Sequence, residues 1–459
     1  MFDYGCGHGD DLLNLRKLGI ECEGWDPAHR PRTERMPAEV VNLGYVINVI
    51  EEPAERVSVL REAWTLTQKL LIVSARLLAQ FRDEGGVRYR DGWLSRSGTF
   101  QKYYEQHELR DWIDGALDVS SIPAGPGVFY VFRDENLKQS FIASRYRRKT
   151  TAPRLRRSEL VYEQHKPLLE PLAQFVASRG RLPEEDELAV APMIRSELRG
   201  IRNAFNIIRR VTGAEQWERI REERSQDLLV YLALARFGKR PNFSQLPRDL
   251  QFDVRAFFST YKQACAKADE LLFSAGNRRS IEEAVQKAQI GKATPTAIYI
   301  HVSALAHLPF ILRVYEGCAR AYIGAVEGAN IIKLYRDEPK VSYLSYPEFE
   351  SDPHPSLAAS LMVDLQTFRV KYREYHDSPN PPILHRKETF LAPDHPMREK
   401  FARLTCQEED QDLYAQPESI GTKEGWRKIL DERGLCFSGH RLLRKKMKYL
   451  PFSHSPSDS

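Results

Sequence analysis

What the sequence lacks narrows the field first. No stretch of the 459 residues approaches the roughly 20 consecutive apolar residues that a membrane-spanning helix needs, and the N-terminus has no basic start followed by an apolar core. No membrane partner is expected, and the expected location is the cytoplasm. The six cysteines (Cys6, Cys22, Cys265, Cys318, Cys406, Cys436) stand far apart with no C-x-x-C pair, which argues against a disulfide scaffold and a thiolate zinc site. His354, His376, His385 and His395, with Asp352, Asp364 and Asp394, are irregularly spaced and form no ligand motif, so no metal is expected. Charge of one sign is also scarce. Against 63 Asp and Glu stand 68 Lys and Arg, a net +5 that does not by itself demand a polyanionic partner.

What is present suits a globular chain: 42% apolar and 29% charged residues, over a length that suggests about three units. Met1–Tyr4 runs into Gly5-Cys6-Gly7-His8-Gly9, after which Asp10–Leu18 carries Leu12, Leu15 and Leu18 at helical spacing. The pattern predicts strand, glycine turn, helix. A second strand, Glu21–Trp25, ends in Asp26. Further strands are expected within Glu39–Ile50 and over Lys69–Ser74 and Val128–Phe132, with helices between, one of them over Glu105–Ile113. Strands alternating with helices predict an α/β, Rossmann-like, doubly wound parallel sheet over residues 1–140.

Alternate glycines let the backbone pass close to a ligand and aim its N–H groups at it. A dinucleotide fingerprint wants G-x-G-x-x-G, and here the third glycine comes one residue early. Asp10 and Asp11 also occupy the helix start, where two carboxylates would repel a pyrophosphate. A sulfonium cation tolerates them. Asp26, about twenty residues after the turn, sits where an acid can accept both ribose hydroxyls of an adenosine. S-adenosylmethionine is thus favoured over a nicotinamide cofactor.

The segments FDYGCGHGDD, EGWDPAHRP, VVNLGYVINVIEEPAER and KLLIVSARL resemble the DNA phosphorothioation-associated methyltransferase family. The resemblance continues through LRVYEGCARAYIG, VEGANIIKL, VSYLSYPEF, DPHPSL, VDLQTF and NPPILHRKETF. That family is encoded beside systems that replace a non-bridging DNA phosphate oxygen with sulfur. The resemblance implies that Asp3, Gly5, Gly7 and Gly9 form the first cofactor motif of a class I methyltransferase and that Asp26 binds the ribose. It also implies partners in DNA, with RNA as the alternative, and in proteins of a phosphorothioation system.

Three departures shape the expectation. The family carries a segment ahead of the first motif and this chain begins at the first strand, which would leave one edge of the cofactor pocket open. Between Asp26 and Val40 there is no room for the helix and third strand that usually build the adenine wall. Asn42-Leu43-Gly44-Tyr45 lacks the Asp/Asn-Pro-Pro-aromatic motif for an exocyclic amine, and Asn380-Pro381-Pro382-Ile383, far downstream, reads as a turn. No catalytic base is evident. Asn42, Tyr45 and Asn48 are the candidates for acceptor contact, because open α/β sheets bind ligands at the carboxyl ends of their strands.

Beyond this domain the run FIASRYRRKTTAPRLRR holds Arg145, Arg147, Arg148, Lys149, Arg154, Arg156 and Arg157 without an acid. It is expected to be an exposed basic linker (141–157) able to neutralise phosphates, with Tyr146 free to stack on a base. A mainly helical domain over 158–290 and an α+β region over 291–450 are expected to follow, with a disordered tail at 451–459. Within the helical domain, Met193–Arg210 sets Ile194, Leu198, Ile201, Phe205 and Ile208 against Arg195, Arg199, Arg202, Arg209 and Arg210. Leu384–Thr389 (LHRKET) reads most simply as a surface salt-bridge cluster, and His440–Lys448 is a second basic patch. Two functions remain open: methyl transfer on or near nucleic acid, and a degenerate methyltransferase-fold scaffold or DNA-binding accessory without catalysis.

Overall fold

A computed structural model describes residues 1–81, 86–95, 98–146 and 160–445. Its first sheet contains β1 (Phe2–Tyr4), β2 (Glu23–Trp25), β3 (Ala38–Gly44) and β4 (Thr67–Ser74), with β8 (Ile122–Gly125) and β9 (Val128–Phe132) arriving later in the chain. The intervening β5 (Val87–Tyr89), β6 (Gly92–Leu94) and β7 (Phe100–Gln101) form a small separate sheet. Strand order in the main sheet is β2-β1-β3-β4-β9-β8. The first four are mutually parallel, whereas β9 runs antiparallel to β4 and β8 antiparallel to β9. The sheet is therefore mixed, not wholly parallel. The reason is local: β8 and β9 are joined by Pro126-Gly127, and so short a connection can only reverse the chain.

Buried Phe2, Tyr4, Val41, Leu43, Leu71, Val73, Phe129 and Val131 make this sheet's core. Helices α2 (Pro53–Leu66) and α3 (Gln106–Leu117) cover it with Leu60, Ala63, Leu109 and Ile113. The short α1 (Asp10–Lys17) buries Leu12 only, and Leu18 lies beyond its end, largely exposed. Between Pro27 and Pro37 the chain forms no helix or strand, so β2 is the sheet's edge.

The first residues of the expected exposed linker are part of a helix and of a buried core. Asp134 caps α4 (Glu135–Ser144), and Tyr146 is buried in the next core. The helical region comprises α5 (Leu160–Gln164), α6 (Lys166–Arg179), α7 (Ala191–Leu198), α8 (Ile201–Thr212), α9 (Ala214–Leu234), α10 (Arg248–Phe257), α11 (Tyr261–Ser274) and α12 (Arg278–Lys287). The single helix expected over Met193–Arg210 breaks at Arg199-Gly200, both at positive φ.

An antiparallel meander follows: β10 (Lys292–Ala293), β11 (Ala297–His301), β12 (Ile331–Tyr335), β13 (Lys340–Ser345), β14 (Ala359–Asp364) and β15 (Val370–Glu374) pair in chain order. Helix α13 (Phe310–Ile323) packs with α9, α11 and this sheet in one core that reaches from Ala143 to Ala392. Helices α14 (Arg398–Asp410) and α15 (Lys423–Glu432) and the hairpin of β16 (Leu435–Ser438) and β17 (Arg441–Arg444) close the described chain. The end of α13 meets the first sheet's β8–β9 hairpin, where the Ala325 N–H donates to the Ala124 carbonyl at 2.9 Å. Among the described residues no helix is long and apolar enough to cross a membrane.

Candidate functional site

The site begins with why the turn needs glycine. Gly5, Gly7 and Gly9 have φ of 84°, 54° and 90°, in the left-handed region that L side chains rarely adopt. A Cβ on Gly5 would lie 2.4 Å from Val46, and one on Gly9 2.7 Å from the Arg30 guanidinium, whereas one on Gly7 would meet nothing within 4 Å. Gly5 is thus also demanded by space, the Arg30 tip beside Gly9 could swing aside, and the middle glycine is an opening.

Asp26 organises the turn. Its Oδ2 accepts from the Gly7 N–H at 3.0 Å, and its Oδ1 from Ala28 and His29 at 2.9 and 2.8 Å. Partial burial opposes its charge, but the three backbone donors outweigh it and hold the pKa below the ordinary carboxylate value. A carboxylate has about four lone-pair sites. Asp26 therefore has room for one further donor, not for both hydroxyls of a ribose. Asp3 is buried, which raises its pKa, and its Oδ1 accepts from the Asn42 amide at 2.8 Å.

The acceptor-side candidates separate. Asn42 is spent on Asp3 in the paired register of β1 and β3. Asn48 is corrected: it is buried, its amide donates to the Lys102 carbonyl, and its Oδ1 takes the Arg76 N–H at 3.0 Å, so it pins a loop and is closed to a substrate. Tyr45 is 53% exposed, sits at the carboxyl end of β3 and holds a φ of 58° that costs a non-glycine residue about 1–2 kcal/mol. Strain kept on an exposed aromatic at a strand end marks it as the candidate for acceptor contact.

Two residues not singled out from the sequence join the site. The His29 ring lies against His8 with centroids 3.9 Å apart and planes tilted by 40°, and Arg30 lies against Gly9 and donates to the His8 carbonyl at 3.3 Å. The signal was present in the D-P-A-H-R run after β2, but its return onto the glycine turn depends on the Asp26 backbone bonds. A cavity of about 900 Å³ lined by Phe2, Arg16, Ile20, Cys22, Met36 and Gln68 lies at the opposite, amino ends of these strands.

Of the basic run, Arg147, Arg148, Lys149, Arg154, Arg156 and Arg157 lie outside the described residues. Arg145 is not a phosphate ligand in waiting: its guanidinium lies over the Phe141 ring, donates to the Pro123 carbonyl at 3.1 Å, and has its pKa lowered by burial. Tyr146 is buried and cannot stack on a base.

The C-terminal histidines do not assemble as one group. His376 is exposed and His395 packs edge-on against His301, while His354 and His385 enter a buried polar cluster. The His354 Nε2 lies 2.7 Å from Glu408 Oε1, Trp426 donates to the His354 Nδ1 at 3.2 Å, and Tyr414 donates to Glu408 Oε2 at 2.5 Å. LHRKET belongs here, which corrects its reading as a surface cluster. Only Arg386 makes the expected ion pair, with Glu409. Lys387 is 2% exposed, its Nζ bonded to the Phe349 and Asp352 carbonyls and to His440 Nε2, with the Phe401 ring 3.9 Å away. The His440–Lys448 patch likewise starts with a buried residue. Among the described residues no group of three or more His, Cys, Asp or Glu is placed to hold a metal ion, and all six cysteines are free.

Compared with known proteins, the chain matches no family model. No curated protein matches it significantly.

Proposed function

We propose that this chain is an S-adenosylmethionine-dependent methyltransferase of the DNA phosphorothioation-associated kind, acting on or near nucleic acid. The observation that carries the reading is the convergence, at the carboxyl ends of β1, β2 and β3, of three positive-φ glycines, the Asp26 carboxylate and the exposed Tyr45. Strand order reverses between β1 and β3, and open α/β sheets take their ligands at such a switch point. The reversed β9 and the acidic start of α1 weigh against a dinucleotide fold.

Each residue then has a task. Gly7 would admit the ligand to the backbone, Asp26 would use its remaining lone pair on a ribose hydroxyl, and Arg30, beside Gly9, would be the cation for the carboxylate of the methionine end. Asp10 and Asp11 favour a cationic ligand over a phosphate. Bound S-adenosylmethionine would supply the electrophilic methyl group. The chain's contribution is to hold the acceptor in line with it, Tyr45 offering the surface on which an acceptor base stacks. One observation favours the second reading, a methyltransferase-fold scaffold or DNA-binding accessory: with β2 at the sheet edge and loop from Pro27 to Pro37, the adenine wall is thin.

Calorimetric titration of the full chain with S-adenosylmethionine separates the two. Binding is expected, and Gly7→Asn is expected to abolish it without unfolding the protein, because asparagine tolerates the left-handed region and its side chain fills only the opening. No binding at millimolar ligand would sink the enzyme reading and leave the scaffold.

A further inference from the structure

The helical region carries a surface that the cofactor site does not use. Helix α7 (eight residues) and helix α8 (twelve residues) are joined only by Arg199-Gly200, whose φ values of 58° and 116° turn the chain sharply. The two helices so joined also pack against each other. On its inner side α8 buries Ala204, Ile208 and Val211 against α6, α7 and α9 in a core with Leu172, Val176 and Trp217. That packing makes α8 a rigid platform.

Its outer side is chemically distinct. Helix α8 (IRNAFNIIRRVT) contains no acidic residue. Arg202, Asn206 and Arg210 recur at i, i+4 and i+8 and so share one face, flanked by Asn203, and all four are exposed. None of the four, nor the exposed Arg199 in the turn, has an ion pair or side-chain hydrogen bond among the described residues. Three acids of this region have partners elsewhere: Glu197 pairs with His165 at 3.1 Å, Glu218 with Arg209 at 3.2 Å, and Glu185 with Arg195.

We propose that α7 and α8 form a docking unit for B-form duplex DNA, with the Arg202, Asn203, Asn206 and Arg210 face of α8 in the major groove and Arg199 on the phosphate backbone. The major groove admits one helix, and α8 offers about 18 Å of it. Arginine and asparagine are the side chains that make paired hydrogen bonds to guanine and adenine edges there. Duplex RNA is not the fit, because its major groove is too deep and narrow for a helix. The inference deepens the nucleic-acid half of the proposed function and rests on that reading for its relevance, but on no residue of the glycine turn.

The test is fluorescence anisotropy of the full chain with a labelled mixed-sequence DNA duplex, across a salt series, beside the RNA duplex of the same sequence. Arg202→Ala combined with Arg210→Ala is expected to weaken DNA binding by about tenfold or more and to relax the preference among duplex sequences, whereas Arg199→Asn, which keeps a residue that tolerates the left-handed turn, is expected to lower the log–log salt slope by about 1. Thermal unfolding and the calorimetric response to S-adenosylmethionine should not move, which keeps a loss of DNA binding distinct from failure of the cofactor reading. Asn206→Ala should change the preference among duplex sequences more than the salt slope. An unchanged affinity in the double variant, absent DNA binding by the parent chain, or equal binding of the RNA duplex with equal loss would overturn the proposal.

Discussion

At the residue scale, the glycine turn is where sequence and space can be told apart. Gly5 combines a φ of 84° with a would-be Cβ contact of 2.4 Å to Val46, while Gly7 combines a φ of 54° with open space. Gly5→Ala should therefore cost about 2–4 kcal/mol, the backbone penalty plus overpacking, and Gly7→Ala only about 1–2 kcal/mol. Urea unfolding of the two variants checks this; equal costs would mean that Val46 yields and that the turn is not spatially locked. The turn and Asp26 were legible because they lie within one short stretch of sequence and their spacing carries the chemistry. His29 and Arg30 were not, because what brings them back is a set of backbone bonds to Asp26. Lys387 was flagged only as part of LHRKET. A lysine's burial is decided by carbonyls and rings contributed from Phe349, Asp352, Phe401 and His440, which no local pattern announces.

At the scale of elements, β1, β4 and β9 could be read from short apolar runs, and β8 could not, because Pro123 and Gly125 are breakers in a strand pattern. The edge strand β15 alternates over Val370-Lys371-Tyr372-Arg373 and yet buries neither face, since all four residues after Val370 are exposed. Yet β8 matters most to how the elements join, since its hairpin receives the end of α13. Gly324, at a φ of 82°, sits so close that an added Cβ would lie 2.2 Å from the Gly125 nitrogen, and Gln106 bridges the junction to the Tyr322 carbonyl at 3.3 Å. Backbone on backbone cannot yield as a side-chain tip can. Gly324→Ala should cost about 2–4 kcal/mol and open the junction to proteolysis, whereas Gly328→Ala, with a φ of 72° but only the Ser345 hydroxyl at 3.6 Å, should cost about 1 kcal/mol. Similar melting temperatures for the two variants would show that the sheet and α13 are not locked together there.

At the scale of the molecule, the net charge of +5 matters less than where titratable groups are buried. His301, His354, His385 and His440 are held by burial at about 4, 3, 3 and 4, far below the ordinary imidazole range. Between those values and about 6.5 the unfolded chain binds protons that the folded chain refuses, so stability falls as pH falls through that window. Glu408, raised by burial to about 7, acts in the opposite sense, since over roughly 4.5 to 7 it binds a proton in the fold that the unfolded chain has released, and Glu388, also raised by burial, adds to that sense. Four imidazoles outweigh two carboxylates, and the net slope is toward loss in acid. Lys387, lowered by burial to about 7, adds the same sign at higher pH, because from about 7 to 10.5 only the unfolded chain keeps its proton. These groups tie together Phe349–His354, LHRKET, α14 and the β16–β17 hairpin, whose apolar clusters are small, so acid should loosen this C-terminal module ahead of the large core shared by α9, α13 and the meander. Thermal unfolding should show a melting temperature distinctly lower at about pH 5 than at about pH 7.5, with the difference reduced in His354→Gln. A melting temperature that is flat or higher in acid would mean that the two glutamates, not the histidines, govern the proton balance of the fold.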